Sequence, residues 1–158
     1  MNDQGRQYVI FRIGTEEYGL PIACVSGIIR YETVTLVPRA PVSVLGVIDL
    51  RGRVVPVVDL GKRLFDTVME PTPHSRIIVT ETSVGAVGLA VDAASEVVSF
   101  DPDRMMPAPE AALPREMVDA FEAVVHIGDR LVILLDLERV LPPAEYDLSN
   151  TDTSEGDG

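Results

Sequence analysis

Two histidines and one cysteine, beside 25 aspartates and glutamates, are the chain's supply for nucleophilic, acid–base or metal chemistry. His74 stands between Pro73 and Ser75, where a linker is expected, and His126 stands in an apolar, strand-like stretch. Cys24 sits in another apolar stretch with no neighbouring His or Lys to lower its pKa, so a buried, inert thiol is expected. A metal site needs several such ligands at helical or hairpin spacing, and this set does not supply it. Neither a GxxxxGK[ST] phosphate loop nor a GxSxG nucleophile elbow occurs, and Gly85-Ala86-Val87-Gly88 reads as a turn rather than a nucleotide loop. An enzyme would have to be built from Asp49, His126 or Cys24. The sequence predicts no catalytic residue, no metal and no cofactor.

The most distinctive segment is 46–60, where two strongly apolar runs flank a polar tip, Arg51-Gly52. Glycine at such a tip suits a two-residue hairpin turn. Arg51 and Arg53 are either solvated surface or guanidinium groups offered to a partner's carboxylate. Pro56 and Pro21 each remove a ladder donor, so each demands an edge or a bulge on one side of its strand.

These residues must be positioned by a small scaffold. A chain of 158 residues accommodates one compact unit or two small lobes sharing a core. With 13 basic residues against 25 acidic ones the net charge is −12, which disfavours duplex DNA and anionic lipid as ligands. The longest apolar runs, 54–58 and 131–135, fall far short of a membrane span. Residues 1–7 are polar and lack a secretory h-region, so a cytoplasmic location is expected.

Short Val- and Ile-rich runs punctuated by Gly and Pro predict ten strands: 7–13, 18–22, 25–31, 44–50, 53–58, 76–82, 86–91, 96–100, 123–127 and 130–135. They repeat. At an offset of 69, Tyr8-Val9-Ile10 falls on Ile77-Ile78-Val79, Tyr18-Gly19-Leu20 on Val87-Gly88-Leu89, and 25–29 on 94–98. At an offset of 77, Val47-Ile48-Asp49-Leu50 falls on Val124-Val125-His126-Ile127, and Val57-Val58-Asp59-Leu60 on Leu134-Leu135-Asp136-Leu137. Two collinear blocks with one change of offset predict two pseudo-symmetric five-stranded units, each curling into a small barrel that leaves few free edges. The second carries a connection eight residues longer.

That connection, 101–121, holds four prolines and predicts a short helix opening at Pro114, with Met117, Val118 and Phe121 on its buried face. Asp59 and Asp136 each precede a Leu-x-x-x-Leu segment and are expected to act as N-caps. The tail 145–158 is acidic and nearly free of apolar residues, which predicts disorder.

The chain resembles the CheW family of chemotaxis coupling proteins. The resemblance rests on residues 8–14, 16–22 with Val25, 37–41, and above all 46–52 (Gly-Val-Ile-Asp-Leu-Arg-Gly) running into 55–60; the second half adds 88–92, 96–98 and 106–109. It covers roughly residues 6–141. It implies an all-β fold of two pseudo-symmetric SH3-like barrels with short helices, forming one domain over 6–142. The first barrel would lie mainly in 14–66 and the second mainly in 76–141, with room for strands to exchange between lobes. Proteins similar to this one are non-catalytic adaptors joining the cytoplasmic tips of chemoreceptors to the regulatory domain of a histidine kinase. By that resemblance a receptor docks at the groove between the lobes, near Asp49, Leu50, Arg51 and Gly52 and near the strand with Val25 and Ile28. Kinase contact falls on a separate surface of the first barrel, around Val34 and Leu36. The protein would be cytoplasmic and recruited to receptor arrays.

Two positions depart from the family's habit, Asp49 where Asn is usual and Gly27 where Glu is common. Asp49 exchanges a neutral amide for an anion able to pair with Arg51, and Gly27 deletes a side chain from the docking strand. The alternative is the same kind of adaptor serving a non-motility pathway, such as pilus, biofilm or gene-expression control.

Overall fold

Four consecutive apolar residues, Tyr8 to Phe11, make the first strand apolar on both faces, and the fold uses both of them. The computed structural model describes residues 6–113 and 115–141; the expected acidic tail and the helix-opening Pro114 lie outside the described residues. The strands are β1 (Arg6–Ile13), β2 (Glu16–Pro21), β3 (Val25–Arg30), β4 (Val44–Leu50), β5 (Arg53–Asp59), β6 (Arg76–Thr82), β7 (Gly85–Val91), β8 (Ala93–Phe100), β9 (Met106–Pro107), β10 (Phe121–Ile127) and β11 (Arg130–Leu135). Two short helices, α1 (Leu60–Phe65) and α2 (Leu137–Val140), follow β5 and β11. The architecture is all-β, built from two SH3-like units. The ten strands expected from sequence are present, and β9 adds two residues within the long connection.

One sheet runs β3-β6-β7-β5-β4, the other β8-β1-β2-β11-β10-β9. Replacing each strand of the first by its sequence repeat gives β8-β1-β2-β11-β10, so the two units have one strand order. The register agrees: Val57 faces Gly88 in the parallel β5–β7 pair, and their repeat counterparts, Leu134 and Gly19, face each other in β11–β2. The sheets do not follow the boundaries 14–66 and 76–141. β1 and β2 of the first copy complete the second copy's sheet, and β6 and β7 of the second complete the first copy's. The offsets identify equivalent strands but do not say which copy a strand pairs with.

This exchange creates three cores. Tyr8 and Ile10 point into a core with Phe100, Val125, Val132 and Leu134 of their own sheet. Ile77 and Val79, their counterparts, point into one with Ile48, Val55 and Val57. The opposite faces of the same strands, Val9 and Phe11 on β1 and Ile78 on β6, meet in a shared core between the sheets with Tyr18, Leu20, Val58, Leu89 and Leu135. Burying both faces of β1 and β6 joins the units through apolar surface, at about 25 cal/mol per Å².

Local chemistry ends each repeat in the same way. The Asp59 carboxylate accepts from the Lys62 N–H (3.2 Å) and also from the Met69 N–H (2.9 Å), capping α1 and holding the linker after it. Asp136 accepts from the Glu138 N–H at 3.1 Å and caps α2. Pro56 is accommodated by register. Thr35 and Val47 exchange backbone bonds of 2.8 Å on the outer side of β4, so Val47 and Pro56 form a non-hydrogen-bonded pair and the missing donor faces β7. There the parallel ladder begins only at Val57. Pro21 ends β2, beyond the β11 ladder at residues 17–19.

The short helix of the long connection is a 3₁₀ segment, Arg115–Ala120. With three residues per turn, Met117 and Ala120 share a face, and Met117 packs against the shared core. Val118 is half-buried, and Phe121 is buried as the first residue of β10 rather than as part of a helix.

Candidate docking surfaces

The β4–β5 hairpin carries four of the expected contact residues. Leu50 faces Arg53, leaving a two-residue turn in which Arg51 (φ 54°) and Gly52 (φ 85°) are both left-handed, the type I′ geometry that matches strand twist. Asp49 is placed by this turn. Its Oδ1 accepts from the Gly52 N–H at 2.9 Å, so the carboxylate closes the turn instead of pairing with Arg51. Arg51 is exposed and makes no ion pair among the described residues. Arg53 reaches Glu81 at 3.7 Å, and Leu50 is half-buried against the core of its unit.

Val25 and Ile28 lie on β3, the opposite edge of this sheet, with three strands between them and β4. A bulge between Val25 and Gly27 and strand alternation send them to different places. Val25 packs on the shared core, Ile29 turns into the core of its unit, and Ile28 remains 42% exposed. β8 is the edge of the other sheet and repeats this arrangement: Ala94 packs on the shared core, and Val97, the counterpart of Ile28, is 49% exposed. Two edge strands bordering one core therefore each present an apolar side chain. Val97 was not among the expected contact residues, although the offset of 69 aligns it with Ile28.

Val34 and Leu36 lie in the segment between β3 and β4. The Thr35–Val47 bridge lays this segment along the outer side of β4, so Val34 packs half-buried on the unit's core and Leu36 stands 79% exposed. Val42, at 83%, adds to the exposed apolar surface of the same segment. Val34 and Leu36 are thus tied to the strand that leads into the Asp49–Gly52 turn, whereas Val25 and Ile28 are on the far edge.

A cleft of about 710 Å³ opens between the two sheets, walled by β1, β2, α1, the linker after α1, β7 and the long connection. None of the eight expected contact residues lines it. Tyr18, Phe65 and Phe121 form an aromatic row along it, with ring centroids 5.9 and 6.2 Å apart. A smaller hollow beside Pro21 and Cys24 measures about 270 Å³. Cys24 is half-buried, its thiol donates to the Pro21 carbonyl at 3.1 Å, and burial pushes its pKa up. Asp49 lies on β4 and His126 on β10 of the other sheet, so these two do not share an element with each other or with Cys24. No group of three His, Cys, Asp or Glu side chains is placed to hold a metal among the described residues.

Comparison with known proteins agrees with this architecture. The family model described as CheW-like domain matches residues 7–145. A chemotaxis protein CheW of Rhizobium meliloti is 37% identical over 145 residues, covering 92% of this chain and 93% of the relative. One from Klebsiella aerogenes is 34% identical, covering 91% and 86%. Among solved structures, the scaffolding protein TtCheW of Thermoanaerobacter tengcongensis superimposes with a TM-score of 0.78 at 29% identity, covering 88% of this chain and 89% of that one.

Proposed function

This chain belongs to the CheW-like domain family, and on that premise we propose that it is a non-catalytic adaptor joining chemoreceptor cytoplasmic tips to a chemotaxis-type histidine kinase. Residues 6–142 serve as one domain in this reading. A receptor tip docks along the edge strands, on Ile28 of β3 with Val25 behind it, extended by Val97 of β8. The Asp49–Gly52 turn contributes Arg51 as a charged hydrogen-bond donor. The kinase regulatory domain docks on the segment before β4, with Leu36 as the apolar anchor and Val34 beneath it. Recruitment to receptor arrays follows from holding both partners. No helix among the described residues is long and apolar enough to cross a membrane.

The observation that carries this reading is the pair of exposed apolar side chains, Ile28 and Val97, at repeat-equivalent positions on the two edge strands bordering the shared core. Exposed apolar side chains bordering a core form the kind of surface that a helical or extended partner covers. The test is pull-down against a soluble receptor fragment and, separately, a kinase regulatory-domain fragment. Ile28→Asp with Val97→Asp should lose receptor capture by at least tenfold while retaining the kinase fragment, and Leu36→Asp should do the reverse. Equal retention of both partners by all variants would refute the assignment.

A further inference from the structure

The cleft between the sheets is not used by either docking surface, and its lining has a chemistry of its own. Four carboxylates, Glu16, Asp59, Glu70 and Asp92, border it against one guanidinium, Arg12. Asp59 is committed to the Lys62 and Met69 N–H groups, and Asp92 accepts from the Gly14 N–H at 2.6 Å. Glu16 and Glu70 have no cationic partner among the described residues; Glu16 accepts only the Thr15 hydroxyl, at 3.2 Å. The aromatic row of Tyr18, Phe65 and Phe121 lines the same cleft.

Tyr18 gives the independent indication of a ligand. It is 2% exposed, it lines the cleft, and its hydroxyl has no hydrogen-bond partner among the described residues. Among the described residues no fully enclosed side-chain oxygen or nitrogen lacks a partner, so this hydroxyl keeps its access through the cleft. Burial and the nearby Glu16 charge both raise its pKa, so the phenol is neutral at physiological pH and can donate or accept. A buried polar group left open to a pocket is a docking point for a polar atom.

We propose that this cleft binds a small organic cation, an ammonium on an aryl or alkyl body. The apolar body would lie along Phe65 and Phe121, the cation would sit over the aromatic row between Glu16 and Glu70, and the Tyr18 hydroxyl would take a hydrogen bond. Aromatic faces and uncompensated carboxylates both favour a cation, and the cleft's volume lies in the range of small-molecule sites. Both sheets line the cleft, so an occupant would bridge the two units.

The test is calorimetric titration of the full chain with 4-phenylbutylammonium, with 4-phenylbutanol as the neutral analogue and 4-phenylbutyrate as the anion. The cation should bind one per chain, roughly tenfold tighter than the alcohol, and the anion weakest of all. Glu16→Gln and Glu70→Gln, both on exposed side chains, should each weaken the cation several-fold and leave the alcohol unchanged. Tyr18→Phe should weaken whichever probe donates to the phenol oxygen. Amide shifts at Gly14, Met69 and Asp92 should report the site. Absence of saturable binding at millimolar probe, equal affinity for cation and alcohol, or shifts confined to β3 and β8 would overturn the proposal. None of these outcomes bears on the adaptor assignment, which is read from partner capture.

Discussion

Gly46 lies so close to Thr35 that a Cβ built on it would stand 2.3 Å from the Thr35 carbonyl oxygen. This contact lets the segment carrying Val34 and Leu36 run along the outer side of β4, where Thr35 and Val47 exchange two backbone bonds. Gly46→Ala should therefore separate the two strands of backbone. A loss of about 1–3 kcal/mol in urea unfolding is expected, with weaker capture of the kinase fragment. Unchanged unfolding would mean that the segment is not held by this bridge.

The hairpin turn separates binding from stability. Arg51 already occupies the left-handed region and makes no ion pair among the described residues, so Arg51→Ala trades one strained side chain for another. Its unfolding free energy should stay within about 0.5 kcal/mol while receptor capture falls. Asp49 behaves in the opposite way, because its Oδ1 closes the turn. Asp49→Asn keeps an acceptor for the Gly52 N–H and should be neutral, whereas Asp49→Ala should cost about 1 kcal/mol. Full receptor capture by Arg51→Ala would remove that side chain from the docking surface.

The equivalence of strands between the two copies was legible in the sequence because the two offsets fall on strands that occupy matching places: Gly19 and Gly88 both sit in parallel pairs. Which strands change sheets was not, beyond the room for exchange that the family resemblance left. Tyr8 and Ile10 face one core while Val9 and Phe11 face another, and a continuous apolar run records two buried faces without naming what covers either. The Asp59 and Asp136 caps were legible because capping needs only local spacing. The cleft was not, since its walls come from residues as distant in sequence as Arg12 and Ile133. Val97 could have been found from its alignment with Ile28, but apolar identity alone does not separate an exposed edge position from a buried one.

Alkaline pH should destabilise the fold. Burial is the main cause raising the pKa of Tyr8, Tyr18 and Tyr31, and of Cys24. Each folded-state pKa lies above the unfolded value, so the neutral groups contribute fully below the unfolded pKa. The contribution is lost as pH rises, beginning near pH 8.5 for Cys24 and about pH 10 for the tyrosines. Lys62 is the sole lysine, so little amine titration overlaps. Urea midpoints should fall between about pH 9 and about pH 11, with tyrosinate absorbance rising on unfolding. A flat midpoint across that window would contradict the burial of these phenols.

Arg130 and Arg53 are repeat counterparts with different surroundings. Arg130 binds Glu96 at 2.8 Å and Glu17 at 3.3 Å, linking β11 to β8 and β2. The counterpart of Glu96 is Gly27, so Arg53 lacks the equivalent carboxylate and among the described residues reaches only Glu81, at 3.7 Å. A side chain at Gly27 would meet nothing within 4 Å, and strand glycine carries an entropic cost. Gly27→Glu should therefore stabilise the chain by about 0.5–1 kcal/mol, from the lost glycine and from an exposed ion pair with Arg53. Gly27→Gln has the same size without the charge and should gain less. Arg53→Ala should erase the difference between Glu and Gln, and high salt should shrink it. If Glu and Gln stabilise equally in the presence of Arg53, the gain is backbone entropy alone and the two units are not electrostatic counterparts. A new anion beside Ile28 also tests the docking edge, since receptor capture should change with Gly27→Glu more than with Gly27→Gln.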